Sequence, residues 1–263
     1  MDIASHLPAD YPWKENLQHF PTTDSTNDRL KTMARQGAPH GTVLVADHQT
    51  AGHGRLGRSF HSPAASGVYL SILLRPDCAP TELMHLTCAA AVAMCDAVEK
   101  AADFRPGIKW TNDLVYGKQK LGGILTELGF TSCGRVDYAI IGIGINCCQN
   151  AEDFPDEIRS IAGSLSMVTG SPVDRSTVAA AMADSLYRMS GRLLTDRTGI
   201  LRQYRTDCIT IGREISLVRG DEIRYGTAVD VDDLGALIVD FRDGHREAVN
   251  SGEVSVRGMY GYI

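Results

Sequence analysis

Residues 138–146 are Tyr-Ala-Ile-Ile-Gly-Ile-Gly-Ile-Asn. An isoleucine-rich run of this kind predicts a buried strand, which we assign to Tyr138–Ile143. At its end, isoleucine alternates with Gly142 and Gly144, and glycine has no side chain to cover its face of a sheet. The segment therefore predicts a central strand with one open face, ending at the polar Asn146.

Helices and strands are predicted on both sides of this segment. Residues 1–20 are interpreted as a short lead-in, and Ser25 is a typical N-cap for a helix over Ser25–Gln36. Hydrophobic periodicity and turn residues predict further strands at Thr42–Ala46, Val68–Leu74, Ile108–Trp110, Leu114–Tyr116 and Leu121–Leu128, and further helices at Glu82–Ala101 and Val173–Thr198.

The character of the chain changes after about Cys208. Five short strands are predicted there, at Ile215–Val218, Glu222–Val231, Leu237–Phe241, Glu247–Val249 and Val254–Val256. So many short strands in so short a segment predict a small barrel. We therefore divide the chain into a larger domain over residues 1–208 and a smaller one over 209–263.

Composition bounds the classes of function. The chain has 263 residues, of which 43% are hydrophobic and 22% charged, as in an ordinary globular protein with a core. Its net charge of −6 argues against a general nucleic-acid-binding surface, which would be basic. A local basic cluster could still bind an anionic small molecule, so we expect no DNA partner.

The sequence also bears on location. Residues 1–17 contain acidic residues and two prolines but no apolar run, so neither a signal peptide nor a transit peptide is predicted. No run approaches the ~20 apolar residues of a membrane span. The seven cysteines form no Cys-x-x-Cys pair, which favours reduced thiols over a disulfide framework or a zinc site. The prediction is a cytoplasmic protein without a membrane partner. Metal-ligand spacing is also lacking among His19, His40, His48, His61 and His85.

Residues 52–58, Gly-His-Gly-Arg-Leu-Gly-Arg, match the Gly-x-Gly-x-x-Gly pattern of dinucleotide-binding sites. That pattern is informative only where it joins a strand directly to a helix, and here five residues separate it from the preceding strand. We interpret residues 48–63 as a mobile loop instead. Arg55 and Arg58 could bind a carboxylate or a phosphate, and the alternative is an ordinary solvated loop.

Residues 109–113, Lys-Trp-Thr-Asn-Asp, place a lysine at the end of an apolar strand. Such a lysine is unfavourable unless its ammonium meets an anion; the alternative is a surface lysine whose methylene chain covers apolar residues. Gly122 and Gly123 interrupt a strand-like run. They indicate either close approach by a ligand or another backbone, or a simple bulge.

Residues 24–27, Asp-Ser-Thr-Asn, form the start of the first predicted helix. Ser25 as N-cap would contribute about 1 kcal/mol to helix stability. The hydroxyl of Thr26 and the amide of Asn27 would then be free for a ligand.

Together these segments resemble the bacterial biotin–protein ligases, in the monofunctional type without an N-terminal DNA-binding domain. The resemblance extends from Asp24 to the end, because Gly252–Arg257 is similar to the family's final strand. Four ordered motifs are far more specific than any one of them. They occur in the family's order with family-like spacing at Ser25–Asn27, Gln49–Arg58, Lys109–Asp113 and Gly142–Asn146.

The resemblance implies an α/β (α+β) fold, with a mixed-sheet catalytic domain over residues 1–208 and an SH3-like β-barrel over 209–263. It implies an enzyme that uses ATP and Mg²⁺ to form biotinyl-5'-AMP. Biotin would then pass to a lysine of a biotin carboxyl carrier protein, in acetyl-CoA carboxylase or another biotin-dependent carboxylase. A homodimer is compatible with this resemblance.

The resemblance also implies roles for individual residues. Biotin would contact Ser25, Thr26, Asn27, Gln49, Gly52, His53, Gly54, Arg55, Lys109 and Gly122. ATP would contact Arg55, Arg58, Lys109, Asn112 and Asn146. The catalytic residues would be Lys109, Arg55 and Arg58, whose charges oppose the repulsion between two reacting anions. Metal ligands are not assigned. The family usually has arginine at His53 and proline at Thr111, and the first change puts in doubt how tightly the adenylate is held.

Two alternatives remain. A lipoate or octanoate ligase shares the catalytic fold by family resemblance, but no run here resembles that family's Gly-Gly-Gly-Ala-Val segment. A non-catalytic biotin sensor is the other alternative, because some biotin ligases double as repressors through an N-terminal helix-turn-helix. About twenty residues precede the first motif here, which we expect to be too few for such a domain.

Overall fold

Seven strands form a mixed sheet in the computed structural model, which describes residues 1–250 and 252–259. In chain order they are β1 (Leu17–Phe20), β2 (Thr42–Ala46), β3 (Gly67–Leu74), β4 (Gly107–Lys109), β5 (Asp113–Tyr116), β6 (Gln119–Phe130) and β7 (Val136–Asn146). Their order across the sheet is β1-β2-β3-β7-β6-β5-β4. Strands β1 and β2 are parallel and the other neighbours antiparallel, which confirms the predicted mixed sheet.

Six α-helices accompany this sheet in the described residues: α1 (Thr26–Arg35), α2 (Leu86–Ala102), α3 (Asp156–Arg159), α4 (Leu165–Thr169), α5 (Arg175–Arg192) and α6 (Arg197–Asp207). Helix α2 packs against α5 and α6, and both α2 and α5 contact the sheet. Helix α1 packs against β2, β3 and β7 and shares a second, smaller apolar cluster with them. Ser25 caps α1 as predicted, because its Oγ accepts a hydrogen bond from the Asp28 amide at 3.4 Å.

Strand β7 is the predicted central strand, and it lies between β3 and β6. Ile143 is opposite Leu70 of β3 and Ile124 of β6. On one face, Ile141, Ile143 and Ile145 pack into the main apolar core. Since side chains alternate along a strand, Gly142 and Gly144 lie on the other face, the face of α1. The prediction of one open face is therefore confirmed, and the strand is longer than Tyr138–Ile143.

The segment Pro80–Ala102 is long and apolar enough to span a membrane by length and composition. However, 72% of its most apolar window is buried inside the protein. Helix α2 within it contacts α5, α6, β5 and β6. These contacts identify α2 as a helix of the protein core.

The prediction of one continuous helix over Val173–Thr198 is wrong. Helix α5 ends at Arg192, and α6 begins at Arg197 after a break. The break has a local cause, because the Asp196 side chain accepts a hydrogen bond from the Gly199 amide at 3.0 Å and caps a new helix. The apolar spacing is similar on both sides of the break, so periodicity alone did not reveal it.

The C-terminal part contains the five predicted strands, and they form an antiparallel sheet. Its strands are β8 (Glu214–Arg219), β9 (Glu222–Val231), β10 (Leu237–Phe241), β11 (Arg246–Val249) and β12 (Glu253–Val256), in the order β11-β10-β9-β8-β12. It packs on the larger part through a continuous apolar core. Trp110 joins the two, since its Nε1 donates to the Gly235 carbonyl at 3.0 Å. The boundary at residues 208–209 stays a prediction.

The interpretation of residues 1–20 as a lead-in is wrong. Leu17–Phe20 is β1, and the residues before it cover the core with four buried side chains. Trp13 packs edge-on against Tyr187 of α5, with ring centroids 5.2 Å apart. The buried side chains are Ile3, Leu7, Tyr11 and Trp13.

We expect Trp13→Ala to lower the free energy of unfolding by about 3–5 kcal/mol, because it removes a large buried ring from α5. Urea denaturation followed by circular dichroism measures the change. The control is Lys14→Ala at the neighbouring exposed position, which should stay within about 0.5 kcal/mol of the parent. Equal effects of the two substitutions would contradict the packing described for this segment.

Candidate active site

A cavity of about 300 Å³ opens on the α1 face of the sheet. Its walls come from the start of α1, the loop before β3, strands β6 and β7, residues 154–162 and strand β12. Eleven of the predicted site residues line it: Ser25, Thr26, Asn27, Gln49, His53, Gly54, Arg55, Arg58, Lys109, Asn112 and Asn146. Gly52 and Gly122 are not among the lining residues.

The floor of the cavity is a row of paired residues that crosses four strands. Lys109 of β4 pairs with Asp113 of β5, Asp113 with Gly123 of β6, and Gly123 with Gly144 of β7. Directly paired residues point to the same face, and neighbouring strands lie about 4.8 Å apart. Neither glycine has a side chain, so the floor beside the Lys109 and Asp113 side chains is backbone, with the ring of Phe60 against Gly144.

Side chains from other segments occupy the space that the missing side chains of Gly142 and Gly144 leave on this face of β7. A β-carbon at Gly142 would overlap the amide of Asn27, and one at Gly144 would overlap the ring of Phe60. Two residues further along, Asn146 donates from Nδ2 to the Gly163 carbonyl at 2.9 Å. At about 3.4 Å per residue, roughly 14 Å of β7 separates the Asn27 end from the Gly163 end.

The Asn27 end is a network of polar side chains. Gln49 Oε1 accepts hydrogen bonds from the Thr26 amide at 2.8 Å and from Thr26 Oγ1 at 3.0 Å. Asn27 Nδ2 donates to Glu127 at 2.8 Å, and Ser71 Oγ lies 2.6 Å from Asn27 Oδ1. Thr26 and Asn27 therefore already have protein partners, which the sequence analysis did not anticipate. These bonds instead fix both side chains in the cavity wall before any ligand arrives.

The other end is apolar, and sequence analysis missed it. It is formed by Phe154, Ile158, Ile161 and Ala162, in a stretch where we predicted no element. Phe154 is only 2% exposed. Asn146 Oδ1 accepts from Gln149 Nε2 at 3.3 Å, so this asparagine is held in place beside the apolar group. Gly144 is a sequence signal for Phe60 alone, because its missing side chain leaves room for that ring.

Four basic side chains line the cavity of a chain whose net charge is −6. Lys109 is 6% exposed, and burial lowers its pKa, while the nearby Asp113 and Glu253 carboxylates act in the opposite direction. Lys120 Nζ donates to Asp113 at 2.6 Å. A bound anion would relieve the cost of burying Lys109. The four are Arg55, Arg58, Lys109 and Lys120.

The arginine-bearing loop is closed against the rest of the protein. Arg55 Nη1 donates to Asn112 Oδ1 at 2.8 Å, and Arg58 forms an ion pair with Glu253 of β12. The C-terminal sheet thus contributes to the wall, which sequence analysis did not predict. His53, which stands where the family usually has arginine, lies at the start of α1, with its Nδ1 3.6 Å from the Asp28 carboxylate.

The two predicted glycines outside the lining support it indirectly. A β-carbon at Gly52 would lie 2.6 Å from Ser62 Oγ and 2.9 Å from Gln49 Nε2, so this glycine leaves room for the Gln49 side chain. A β-carbon at Gly122 would lie 2.5 Å from the Gly144 carbonyl. Gly122 thus allows β6 and β7 to approach each other closely rather than facing the cavity.

The arrangement suits a ligand with three parts. A polar ring system fits the Asn27 end, a flat apolar group fits the Phe154 end, and a negative charge fits the row that holds Lys109. Buried cations between two such subsites would reduce the repulsion between two anions that react with each other. Condensation of a carboxylate with a phosphoanhydride is a reaction of this kind.

Comparisons with known protein families agree with this chemistry. Residues 19–146 match the family described as the biotin/lipoate A/B protein ligases. Residues 210–257 match the family described as the biotin protein ligase C-terminal domain. The two matches fall on the larger sheet and on the C-terminal sheet, respectively.

Individual relatives are similar over most of the chain. The bifunctional ligase/repressor BirA of Bacillus subtilis is 36% identical over 88% of this chain and 71% of its own length. The biotin--[acetyl-CoA-carboxylase] ligase of Mycobacterium tuberculosis is 32% identical over 92% of this chain and 89% of its own. A biotin protein ligase from Aquifex aeolicus, whose structure was solved with biotin and ATP, is 30% identical, with a TM-score of 0.77. The match covers 92% of this chain and 99% of that chain.

We expect Lys109→Met to raise the free energy of unfolding at pH 7 by about 1 kcal/mol, because it removes a buried cation and keeps the volume. The pKa of folded Lys109 is below its unfolded value, so the parent gains stability as pH rises through the folded pKa. The advantage of the variant should therefore shrink by pH 10. Urea denaturation at both pH values measures it. Lys118→Met, at an exposed lysine, is the control, and a destabilised Lys109→Met would contradict the argument.

Proposed function

This chain belongs to the biotin/lipoate A/B protein ligase family, and we propose that it is an ATP-dependent biotin–protein ligase. The observation that carries the proposal is one cavity that is lined by Lys109 and two arginines and has a polar end and an apolar end. Biotin offers a polar ureido ring and a carboxylate, and ATP offers phosphates and a flat base. The two substrates together have the three parts that the cavity suits.

We propose that the biotin ring lies at the Asn27 end. Thr26, Asn27 and Gln49 are already fixed there by hydrogen bonds, so they would bind the ureido group without further ordering. Ser25, His53 and Gly54, which were also predicted as biotin contacts and line the cavity, would contact biotin as well. The biotin carboxylate would extend towards the row that holds Lys109.

The first step joins the biotin carboxylate to the α-phosphorus of ATP. A carboxylate oxygen forms the new bond to phosphorus while the bond to the pyrophosphate oxygen breaks. We propose that Lys109, Arg55 and Arg58 stabilise the charge that accumulates there, as catalytic residues. Arg58 would then exchange its contact with Glu253 for a phosphate oxygen. Asn112 and Asn146 would contact the nucleotide.

The second step transfers biotin to a carrier-protein lysine. The lysine amine attacks the acyl carbon of biotinyl-5'-AMP, the bond to the AMP oxygen breaks, and the amine loses a proton. A lysine ammonium has a reference pKa near ~10.4, so it must be deprotonated before it can attack. Holding the adenylate and the amine together in a closed site supplies much of the rate.

We propose that Mg²⁺ enters with ATP. The described residues contain no group of three or more His, Cys, Asp or Glu side chains suited to a metal ion. Mg²⁺ in nucleotide sites is bound mainly by phosphates and water with one or two carboxylates, and Asp113 and Glu253 line the cavity. These carboxylates fit that role, and the ion would neutralise charge on the leaving pyrophosphate.

We further propose the setting in which the enzyme works. Its acceptor would be a biotin carboxyl carrier protein in acetyl-CoA carboxylase or another biotin-dependent carboxylase. We also propose that the protein is cytoplasmic, forms a homodimer and has neither DNA nor a membrane as a partner. The net charge of −6 supports the absence of DNA binding.

The proposal is tested by ATP–pyrophosphate exchange with biotin, lipoate and octanoate offered separately. We expect exchange with biotin only, since the polar network at the Asn27 end suits a ureido ring rather than a plain acyl chain. Exchange with lipoate or octanoate but not biotin would show a ligase of the other branch. Tight biotin binding without exchange would show a sensor. Either result contradicts the proposal.

We expect Gly142→Ala to weaken biotin binding by about tenfold to a hundredfold, because the new methyl group would displace the Asn27 amide. Isothermal titration with biotin measures the affinity. The matched control is Gly191→Ala in α5, where a β-carbon meets nothing within 4 Å and biotin affinity should not change. Unchanged affinity in Gly142→Ala would remove Asn27 from the biotin site.

A further inference from the structure

His61 lines the cavity next to Phe60, and the function proposed above gives it no role. Its Nε2 atom is buried and has no hydrogen-bond partner in the described part of the chain. Burial of a ring nitrogen without a partner is unfavourable, because the atom loses its hydrogen bond to water and gains nothing in return. An unpartnered polar atom in a residue that lines the cavity is suited to a hydrogen bond with a ligand.

The position of His61 indicates which part of a ligand it would meet. Its ring centroid lies 6.5 Å from that of Phe154, at the apolar end of the cavity. Ile158, Ile161 and Ala162 line the same end. Asn146, the polar lining residue of this end, already bonds to Gly163 and Gln149. A flat group inserted here would therefore have apolar contacts on its faces and His61 Nε2 as a polar contact.

We propose that His61 is a specificity-determining residue for the nucleotide, and that its Nε2 forms a hydrogen bond with the polar edge of the purine base. This inference rests on the proposed use of ATP. A purine has apolar faces that suit Phe154 and the two isoleucines, and its edge carries both donors and acceptors. A neutral imidazole can present Nε2 as donor or as acceptor according to its tautomer, so it can match either.

The protein should therefore bind purine nucleotides that differ only at one edge atom of the base with different affinities. A base analogue that lacks the bonded atom leaves Nε2 unpartnered again, as it is without a ligand. Such a loss costs about fivefold to tenfold in affinity for one hydrogen bond in a buried site. Replacement of His61 by an apolar residue removes the reason for this difference, so the variant should bind ATP and the analogue almost equally.

The test measures nucleotide affinity without turnover. Isothermal titration in the presence of biotin would use α,β-methylene-ATP and two analogues of it, one without the 6-amino group and one with carbon at ring position 7. We expect the parent to bind at least one analogue about fivefold to tenfold more weakly than the adenine compound. In His61→Leu that difference should disappear, while biotin affinity stays unchanged because biotin lies at the other end.

His61→Gln is the matched variant, because the glutamine amide reaches the position of Nε2 and can donate or accept. It should retain most of the discrimination, which a purely structural role for the ring would not predict. If His61→Leu discriminates between the nucleotides as the parent does, or if the parent shows no discrimination, the inference is wrong. Failure of the parent to bind biotin and nucleotide at all would instead overturn the proposed function itself.

Discussion

The site depends on the absence of side chains from one face of the central strand. Gly142 leaves the space that Asn27 occupies, and Gly144 leaves the space that Phe60 occupies. Asn27 is in turn held by Glu127, which forms an ion pair with Lys31 at 2.8 Å. A side chain at either glycine would push these groups out of the wall. The position of helix α1 and the width of the cavity therefore both follow from this strand.

A second constraint is electrostatic. The row from Lys109 to Gly144 places a lysine at 6% exposure in the cavity floor, where burial lowers its pKa. Burial of such a cation opposes folding, and the opposite charge of an anionic ligand would reduce this cost. Asp113 and Glu253 reduce the cost without removing the positive charge, since four basic side chains share the cavity with these two carboxylates.

The C-terminal sheet belongs to the site as well as to the fold. Glu253 of β12 pairs with Arg58, and the carbonyl of Gly252, the residue before β12, accepts a hydrogen bond from Arg55 Nη2 at 3.5 Å. The larger and smaller sheets also share a continuous apolar core. The domain boundary expected near residue 208 is therefore not a boundary of the active site. The C-terminal sheet restrains the arginine-bearing loop beside the cavity.

The sequence by itself determined every strand except β1, the helix cap at Ser25, the open face of β7 and eleven of the residues that line the cavity, because periodicity, capping and motif order are local properties. Only the tertiary structure decided which of these residues meet. Phe154 and His61 reach the cavity through segments without periodicity, and Glu253 reaches it from a separate sheet. Trp13 covers the core from a stretch that resembled a lead-in. These outcomes depend on contacts between residues far apart in the chain, and local patterns carry no information about such contacts.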